Sequence, residues 1–228
     1  MPPDFSIRSR RLERLDTGDY TPEEYRRWLK EARWINRWLG DSRALRSALE
    51  NEAGEGTISL LDVGAGSGEL LRSACRFLGD RAGLLVGAEM NAKAARTIAD
   101  QPSVGSLAVQ CDALRLPLAD GSFDIVVCSL LLHHLSDEQA VILIREMSRV
   151  ARINFFIIDL HRHPAAYYLY RLFGPIFLQR FTIEDGSLSI LRSFKPHELE
   201  RLAGTAGIRP VVNRRSFFRL VLSEDRST

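Results

Sequence analysis

Short apolar runs alternate with amphipathic segments through the middle of this sequence, and that alternation restricts the fold more than any other feature. The apolar runs lie at 58–63, 83–88, 106–110, 123–130 and 153–159. Between them, residues 69–78 and 136–149 have helical periodicity. Uniformly apolar strands joined through helices form parallel sheets with both faces covered. The pattern therefore predicts an α/β fold with an open, mostly parallel sheet between helical layers.

The N-terminal part is predicted to be helical. Thr21 to Glu24 form a capping box with Pro at the first helical position, so a helix is expected to begin there. A second short helix is predicted from about 42 to 50. We therefore expect a boundary at residue 56, with residues 1–56 as a helical lid or substrate wall and residues 57–228 as the main domain.

The C-terminal part differs again. Two short β-rich runs, 209–213 and 217–222, lie close together and predict an antiparallel hairpin at the sheet edge. Residues 161–195 are largely apolar and aromatic, and we predict that they cap a hydrophobic substrate pocket. A plain core helix is the alternative for this segment.

Composition excludes several classes of protein. A net charge of +2 argues against a strongly basic nucleic-acid binder, although residues 151–228 carry 12 basic and 7 acidic side chains. That excess of positive charge is compatible with contact with an anionic membrane surface.

No apolar run approaches the ~20 residues that span a bilayer, and the N-terminus lacks a signal-peptide pattern. Three cysteines without metal-ligand spacing favour reduced thiols, and so the cytoplasm.

A glycine-rich turn joins the first strand to the next helix. Residues 62–68 read Asp-Val-Gly-Ala-Gly-Ser-Gly. Glycines let the backbone turn tightly and allow a ligand to approach it, and the helix start offers free N–H groups. Glu69 stands where the dinucleotide fingerprint has Gly or Ala, so this loop departs from the NAD(P) pattern.

Acidic side chains follow the first three strands. Asp62, Glu89 and Asp112 would all lie at the carboxyl edge of a parallel sheet, where ligands bind in such folds. A carboxylate can accept the two hydroxyls of a ribose at Glu89, and an adenine amino group at Asp112. The three acids and the loop therefore predict one nucleoside-binding crevice.

With these motifs the chain resembles the class I S-adenosyl-L-methionine (SAM)-dependent methyltransferases of the small-molecule, type 11/12-like group. Residues 116–126, Leu-Pro-Leu-Ala-Asp-Gly-Ser-Phe-Asp-Ile-Val, and 128–135, Cys-Ser-Leu-Leu-Leu-His-His-Leu, add to the match. The resemblance implies a Rossmann-like seven-stranded sheet with an antiparallel last strand, SAM as cofactor and S-adenosylhomocysteine as product. The residues implied in cofactor binding are Asp62, Gly64, Ala65, Gly66, Gly68, Glu89, Met90, Asp112, Ala113 and Ser129. Among them, Met90 would lie against adenine and Ser129 near the sulfonium.

The exit from the fourth strand bears on the methyl acceptor. Methyltransferases of nucleobase amines carry Asn or Asp followed by Pro-Pro and an aromatic residue there, whereas this chain has Ser129 and three leucines. No acidic residue lies between Ser129 and Leu135, so no metal is predicted. The candidates for proton removal are His133, His134, Asp159 and His161, with His134 oriented by Asp159 as the leading hypothesis.

We therefore expect a SAM-dependent methyltransferase acting on an oxygen, or an activated carbon, of a small hydrophobic acceptor of aromatic, polyketide-like or quinone-like type. An NAD(P)-dependent oxidoreductase and a SAM-binding module that modifies RNA or protein are the alternatives. The expected partners are a small-molecule substrate and no nucleic acid, with peripheral membrane contact left open. The chain is expected to be a monomer or a homodimer.

Overall fold

Seven strands form a single sheet in the computed structural model, which describes residues 3–38, 40–52, 56–100 and 107–227. The strands are β1 (Ile58–Val63), β2 (Ala82–Glu89), β3 (Leu107–Gln110), β4 (Phe123–Ser129), β5 (Ala151–Leu160), β6 (Pro210–Arg215) and β7 (Arg219–Glu224). Their order across the sheet is β3-β2-β1-β4-β5-β7-β6. Residue 106, predicted to begin the third strand, and residues 53–55, beside the predicted domain boundary, lie outside the described part.

Helices cover the sheet between these strands. They are α1 (Arg14–Thr17), α2 (Pro22–Trp38), α3 (Asp41–Glu52), α4 (Glu69–Leu78), α5 (Ala92–Ala99), α6 (Asp137–Val150), α7 (Pro164–Phe177), α8 (Arg180–Arg192) and α9 (Pro196–Thr205). The predicted capping box forms at α2, where the Thr21 hydroxyl accepts the Glu24 N–H at 3.2 Å and the Glu24 carboxylate accepts the Thr21 N–H at 2.8 Å. No described helix is long and apolar enough to cross a membrane.

The strand directions confirm the predicted fold class. β1 to β5 pair in parallel, β7 runs antiparallel to β5, and β6 pairs antiparallel with β7 at the edge. The predicted hairpin is therefore correct, and the reversed strand is β7. Because the parallel strands all end on one side of the sheet, the residues that follow them share one edge.

Two apolar clusters fill the space on the two faces of the sheet. One of them includes Leu45 and Leu49 of α3, which are buried against residues of β1 and β5. Burying one such side chain stabilises the fold by about 1.5–3 kcal/mol. Helix α3 therefore contributes to the core of the main domain. The role of residues 1–56 as a lid or substrate wall stays a prediction.

Candidate active site

The ends of four parallel strands bring the predicted site residues to one edge. Val63 of β1 pairs with Ala88 of β2 on one side and with Cys128 of β4 on the other. Ser129 of β4 pairs in turn with Ile158 of β5. Asp62, Glu89, Ser129 and Asp159 lie at or next to these pairs, so the sheet register brings them to the same edge.

The glycine loop leaves this edge in a conformation that favours glycine. Gly64 and Gly66 have φ angles of 73° and 54°, and the Gly64 N–H donates to the Ala88 carbonyl at 2.8 Å. A Cβ at Gly64 would lie 2.9 Å from Leu131 Cδ2, whereas a Cβ at Gly66 would meet nothing within 4 Å. Ala65 is buried and Gly68 precedes α4 with a φ of 76°. Open space therefore borders the loop at Gly66.

Glu89 connects the loop to the second strand. One carboxylate oxygen accepts the Gly66 N–H at 2.9 Å, and the other accepts the Asn91 N–H at the same distance. Each oxygen keeps a further lone pair that can accept a hydroxyl. Met90 follows and is 72% exposed, so it is free to contact a ligand.

Asp112 follows the third strand, at the far side of this crevice. Its Oδ1 accepts the Leu114 N–H at 2.9 Å in a local turn, and its side chain is exposed beside the half-buried Ala113. Because the turn uses one oxygen, the other oxygen is available to a hydrogen-bond donor of a ligand.

Asp62 is the buried acid of the site. It is 2% exposed, and its Oδ2 has no hydrogen-bond partner. Burial, together with the negative charge of Glu89, raises the pKa of Asp62 to about 7. A buried carboxylate oxygen without a partner is rare, and it suits a cationic or N–H donor supplied by a ligand.

The exit from β4 has strained backbone. Leu130 has a φ of 53°, although its N–H still donates to the Ile158 carbonyl at 3.0 Å. A non-glycine residue in this region costs about 1–2 kcal/mol, and such strain clusters at functional sites. The turn directs Leu131 toward Gly64 and leads into a short 3-10 turn over Leu132–His134.

His133, in this turn, pairs with Asp159. His133 Nδ1 lies 2.7 Å from Asp159 Oδ1, and the His133 backbone N–H donates to the other carboxylate oxygen at 3.0 Å. Both side chains are buried. Burial raises the pKa of Asp159, but the charge and hydrogen bonds of His133 outweigh burial and lower it below the ordinary value. The predicted His–Asp pair therefore forms with His133, whereas His134 faces another partner.

His134 pairs with a residue from the start of the chain. Its Nδ1 lies 3.0 Å from Asp16 Oδ1, and the side chain is about a quarter exposed. Arg192, from the end of α8, is also ion-paired with Asp16 and donates to the His134 carbonyl at 3.1 Å. The two adjacent histidines are thus held by two different carboxylates.

An N-terminal strap, residues 5–20, lies over this turn. Its Glu13 is buried, and Oε1 accepts from Ser189 Oγ at 2.9 Å. The same oxygen lies 3.5 Å from Arg192 Nη1 and 4.0 Å from His133 Nε2. Burial raises the pKa of Glu13 to about 7. Sequence reasoning missed this acid, because no local pattern links it to the strand ends.

Two arginines and an aspartate hold the strap in place. Arg8 donates to the carbonyls of Leu135 at 2.8 Å and of Arg192 at 2.6 Å. Asp185 of α8 accepts the N–H groups of Arg14 and Leu15, both at 2.9 Å. Arg162, whose side chain is fully buried, donates to the Phe5 carbonyl at 3.1 Å and forms an ion pair with Glu198.

Three possible metal ligands lie close together at this site, one each from Glu13, His133 and His134. Their ligand atoms are within 4.8 Å of one another, a spacing that a metal ion can bridge. The sequence predicts no metal because no acid follows Ser129 closely, and the acid here comes instead from the strap. Arg192 already places a guanidinium beside Glu13. The residues therefore fit a proton-handling cluster better than a cation site.

His161, the remaining candidate base, lies in a different environment. Its backbone forms an isolated parallel β-bridge with Phe194. The centroid of its ring is 5.3 Å from that of His163. Burial, followed by the positive charge of His163, lowers the pKa of His161 to about 4. The ring is therefore uncharged at neutral pH.

Three features together define the class I methyltransferase fold. They are the seven-stranded sheet with its reversed β7, the glycine loop, and the acids at the strand ends. Residues 61–158 match a family model described as a methyltransferase domain. A demethylmenaquinone methyltransferase from Roseiflexus sp. (strain RS-1) is 36% identical over 112 residues, which make up 46% of this chain and 44% of that protein. The sequence match to a methyltransferase domain therefore lies at residues 61–158, and the matched part is less than half of this chain and of that relative.

Solved structures agree on the fold. The magnesium protoporphyrin IX methyltransferase of Synechocystis PCC 6803 with bound SAH has a TM-score of 0.62 at 15% identity, covering 94% of this chain and 96% of that one. The plantazolicin methyltransferase BpumL in complex with SAH has a TM-score of 0.70 at 12% identity, covering 90% of each chain. At such identities the likeness concerns the fold alone.

The residues present fit the cofactor that this family implies. The unpartnered oxygen of Asp62 suits a ligand ammonium, and the open space at Gly66 gives a ligand room beside the loop. Glu89 and Asp112 offer carboxylate oxygens further along the same edge. Glu69, at the start of α4, is ion-paired with Arg72 and places a carboxylate where a pyrophosphate would bind, which disfavours a dinucleotide.

Proposed function

We propose that this chain transfers a methyl group from SAM to an oxygen, or an activated carbon, of a small hydrophobic acceptor of aromatic or quinone-like type. One observation carries the proposal: the glycine loop and the His133–Asp159 pair lie at the ends of adjacent parallel strands. The name of the Roseiflexus relative supports a quinone-like acceptor.

In this proposal Asp62, Glu89 and the glycine loop hold the cofactor. Asp62 accepts from the ammonium of its methionine part, Glu89 accepts from the ribose hydroxyls, and Asp112 and Met90 contact the adenine. SAM supplies an electrophilic methyl group on a sulfonium. The chain contributes the alignment of the acceptor with that group and the exclusion of water.

His133 is proposed as the general base. Because Asp159 holds Nδ1 as the protonated nitrogen, Nε2 keeps its lone pair and can take the proton of a hydroxyl acceptor. Glu13 Oε1 lies 4.0 Å from this nitrogen, beyond hydrogen-bond distance, where an ionised carboxylate stabilises a protonated ring electrostatically. His134 is the second candidate, since it is more exposed and has its own carboxylate in Asp16.

The surroundings support an apolar acceptor. Leu130, Leu131 and Leu132 follow β4, and Leu131 packs against the glycine loop at Gly64. No side chain in this run can hydrogen-bond the amino group of a nucleobase. An acceptor bound beside the run would be recognised chiefly through burial of apolar surface.

The first test separates the cofactor from the reaction. Calorimetry should detect SAM and S-adenosylhomocysteine but not NADH or NADPH, and Glu89→Ala should remove the SAM signal. Transfer of a labelled methyl group should then be followed into solvent-extractable phenols and reduced naphthoquinones. NADH binding without SAM binding would overturn the proposal, and so would SAM binding with transfer only to RNA or protein.

A further inference from the structure

The outer face of α7 is apolar and exposed. Its exposed side chains are Tyr168, Leu169, Leu172, Phe173, Ile176 and Phe177. They are between 45% and 67% exposed and recur every four residues in adjacent pairs, so they form one stripe along the helix. Single exposed apolar residues are ordinary, but a continuous stripe of six large ones marks an interaction surface.

The opposite face of α7 explains why this stripe points outward. Ala166 and Gly174 are buried, and a Cβ at Gly174 would lie 3.2 Å from Ile183 of α8. The small residues let the helix pack closely on α8. A rotation of α7 that turned the large residues inward would remove the close contact between Gly174 and α8. The apolar stripe therefore stays on the outside.

Helix α2 extends the same surface. Trp34 is 47% exposed, and the centroid of its ring lies 5.8 Å from that of Phe177. Tryptophan combines a large apolar ring with an N–H that can remain in contact with water, which is the property that favours it at membrane–water interfaces.

Positive charge surrounds the stripe. No Asp or Glu occurs from residue 161 to 183, and Arg171 and Arg180 are both exposed at its edge. They line one cavity of about 430 Å³ together with Pro175 and Glu184. Glu184 pairs with Arg180 at 2.6 Å, which leaves Arg171 as the uncompensated cation of that cavity among the residues lining it. Lys30 and Arg33 of α2 are exposed as well.

We propose that the α7 face, with Trp34, binds the surface of an anionic lipid bilayer. A helix of 14 residues is about 21 Å long and would lie in the interface plane, with its apolar side among the acyl chains and the arginines at the phosphates. The charge argues against a second copy of the chain, because two such faces in contact would bring together two Arg171 cations that no acid of the cavity compensates.

This surface does not depend on the proposed reaction, because its residues lie outside the glycine loop and the His133–Asp159 pair. A protein held at the bilayer meets lipid-soluble molecules at a far higher local concentration than one in bulk water.

Vesicle flotation tests the surface directly. The full chain should float with vesicles of phosphatidylcholine and phosphatidylglycerol (3:1) at low salt, and less with phosphatidylcholine alone. The double variant Leu172→Ser/Ile176→Ser should lower the partition coefficient at least about ten-fold. Arg171→Gln/Arg180→Gln should remove the preference for phosphatidylglycerol. Ile142→Ser, on the exposed side of α6, is the matched control and should bind like the parent.

Three outcomes overturn the proposal. The first is failure of the parent chain to float, and the second is an unchanged partition of the folded double variant. The third is a dimer, seen by light scattering, that dissociates in the double variant while vesicles bind neither protein, which would assign the face to a second copy. Circular dichroism of each variant establishes that it is folded, and SAM binding by calorimetry keeps this result separate from the cofactor test.

Discussion

His133 and Asp159 are joined by two contacts, at 2.7 Å between Nδ1 and Oδ1 and at 3.0 Å between the His133 N–H and Oδ2. One carboxylate therefore fixes both the ring and the backbone of the turn that follows β4. The arrangement protonates Nδ1 and leaves Nε2 as the acceptor. It has the form that enzymes use to orient a histidine base.

Asp159→Asn should lower kcat for methyl transfer at least about 100-fold, because the amide no longer holds Nδ1 as a donor. The Kd for SAM should stay within about three-fold, since Asp159 is not proposed to contact the cofactor. Asp16→Asn, which alters the partner of His134 instead, is the matched control. If the control loses activity and Asp159→Asn keeps it, the base is His134.

Gly66→Ala should cost the ligand-free protein about 1 kcal/mol, because φ is 54° and the added Cβ meets nothing within 4 Å. SAM affinity should fall at least about ten-fold, since that Cβ would enter the space left for the ligand. Gly121→Ala, with φ of 60° in the loop before β4 at the opposite edge of the sheet, is the control. Calorimetry and urea unfolding separate the two effects; equal SAM affinity in both variants would contradict the assignment of the loop.

Stability should fall as pH rises from 5 to 7. Glu13 has a pKa of about 7 in the fold and an ordinary value of 4.5, so the unfolded chain ionises first. Deprotonation therefore favours unfolding between these two values. Glu13→Gln should make the fall about 2 kcal/mol smaller. Urea unfolding from pH 5 to 8 measures it, with the exposed Glu23→Gln as control; parallel curves for the parent and Glu13→Gln would refute the prediction.

Arg162→Met should lower the free energy of unfolding by about 3–5 kcal/mol, because it leaves Glu198 and the strap carbonyls without their buried partner. Arg201→Met, which removes the exposed ion pair with Asp137, should cost less than about 1 kcal/mol. Chemical denaturation compares the two. If Arg162→Met lowers the free energy of unfolding as little as Arg201→Met does, the strap contributes little to stability.

Treatment with EDTA should leave methyl transfer unchanged within about two-fold. Arg192 supplies the positive charge beside Glu13, so the cluster of Glu13, His133 and His134 does not require a cation. Elemental analysis of the purified protein is the independent measurement. A stoichiometric metal that is lost from His133→Gln would show that these three residues bind an ion.

Local sequence was sufficient for the sheet and the cofactor loop. Strands β1 to β5, their helices and the C-terminal hairpin follow from apolar runs, helical periodicity and caps, which depend on residues a few positions apart. The glycines of 64–68 and the acids after each strand are equally local. Their meeting at one edge follows from parallel topology alone, because every such strand ends on the same side.

Such local patterns could not predict which of the two adjacent histidines pairs with Asp159. Both follow β4, and the sequence favoured His134 as the partner of Asp159. The positive φ of Leu130 and the 3-10 turn after it rotate His133 toward β5 instead. A backbone rotation at one residue decides this, and neither periodicity nor composition records it.

By itself the sequence determined the sheet and its order of strand and helix, and it predicted the crevice for SAM, because these depend on short-range periodicity and on glycine and acid positions in the chain. Only the tertiary structure decided which carboxylates surround the histidines. Asp16 reaches His134 across 118 residues, and Arg8, Arg162 and Asp185 hold the strap that carries it. Such contacts form because buried charges require partners wherever the folded chain supplies them, and no local pattern encodes where that is.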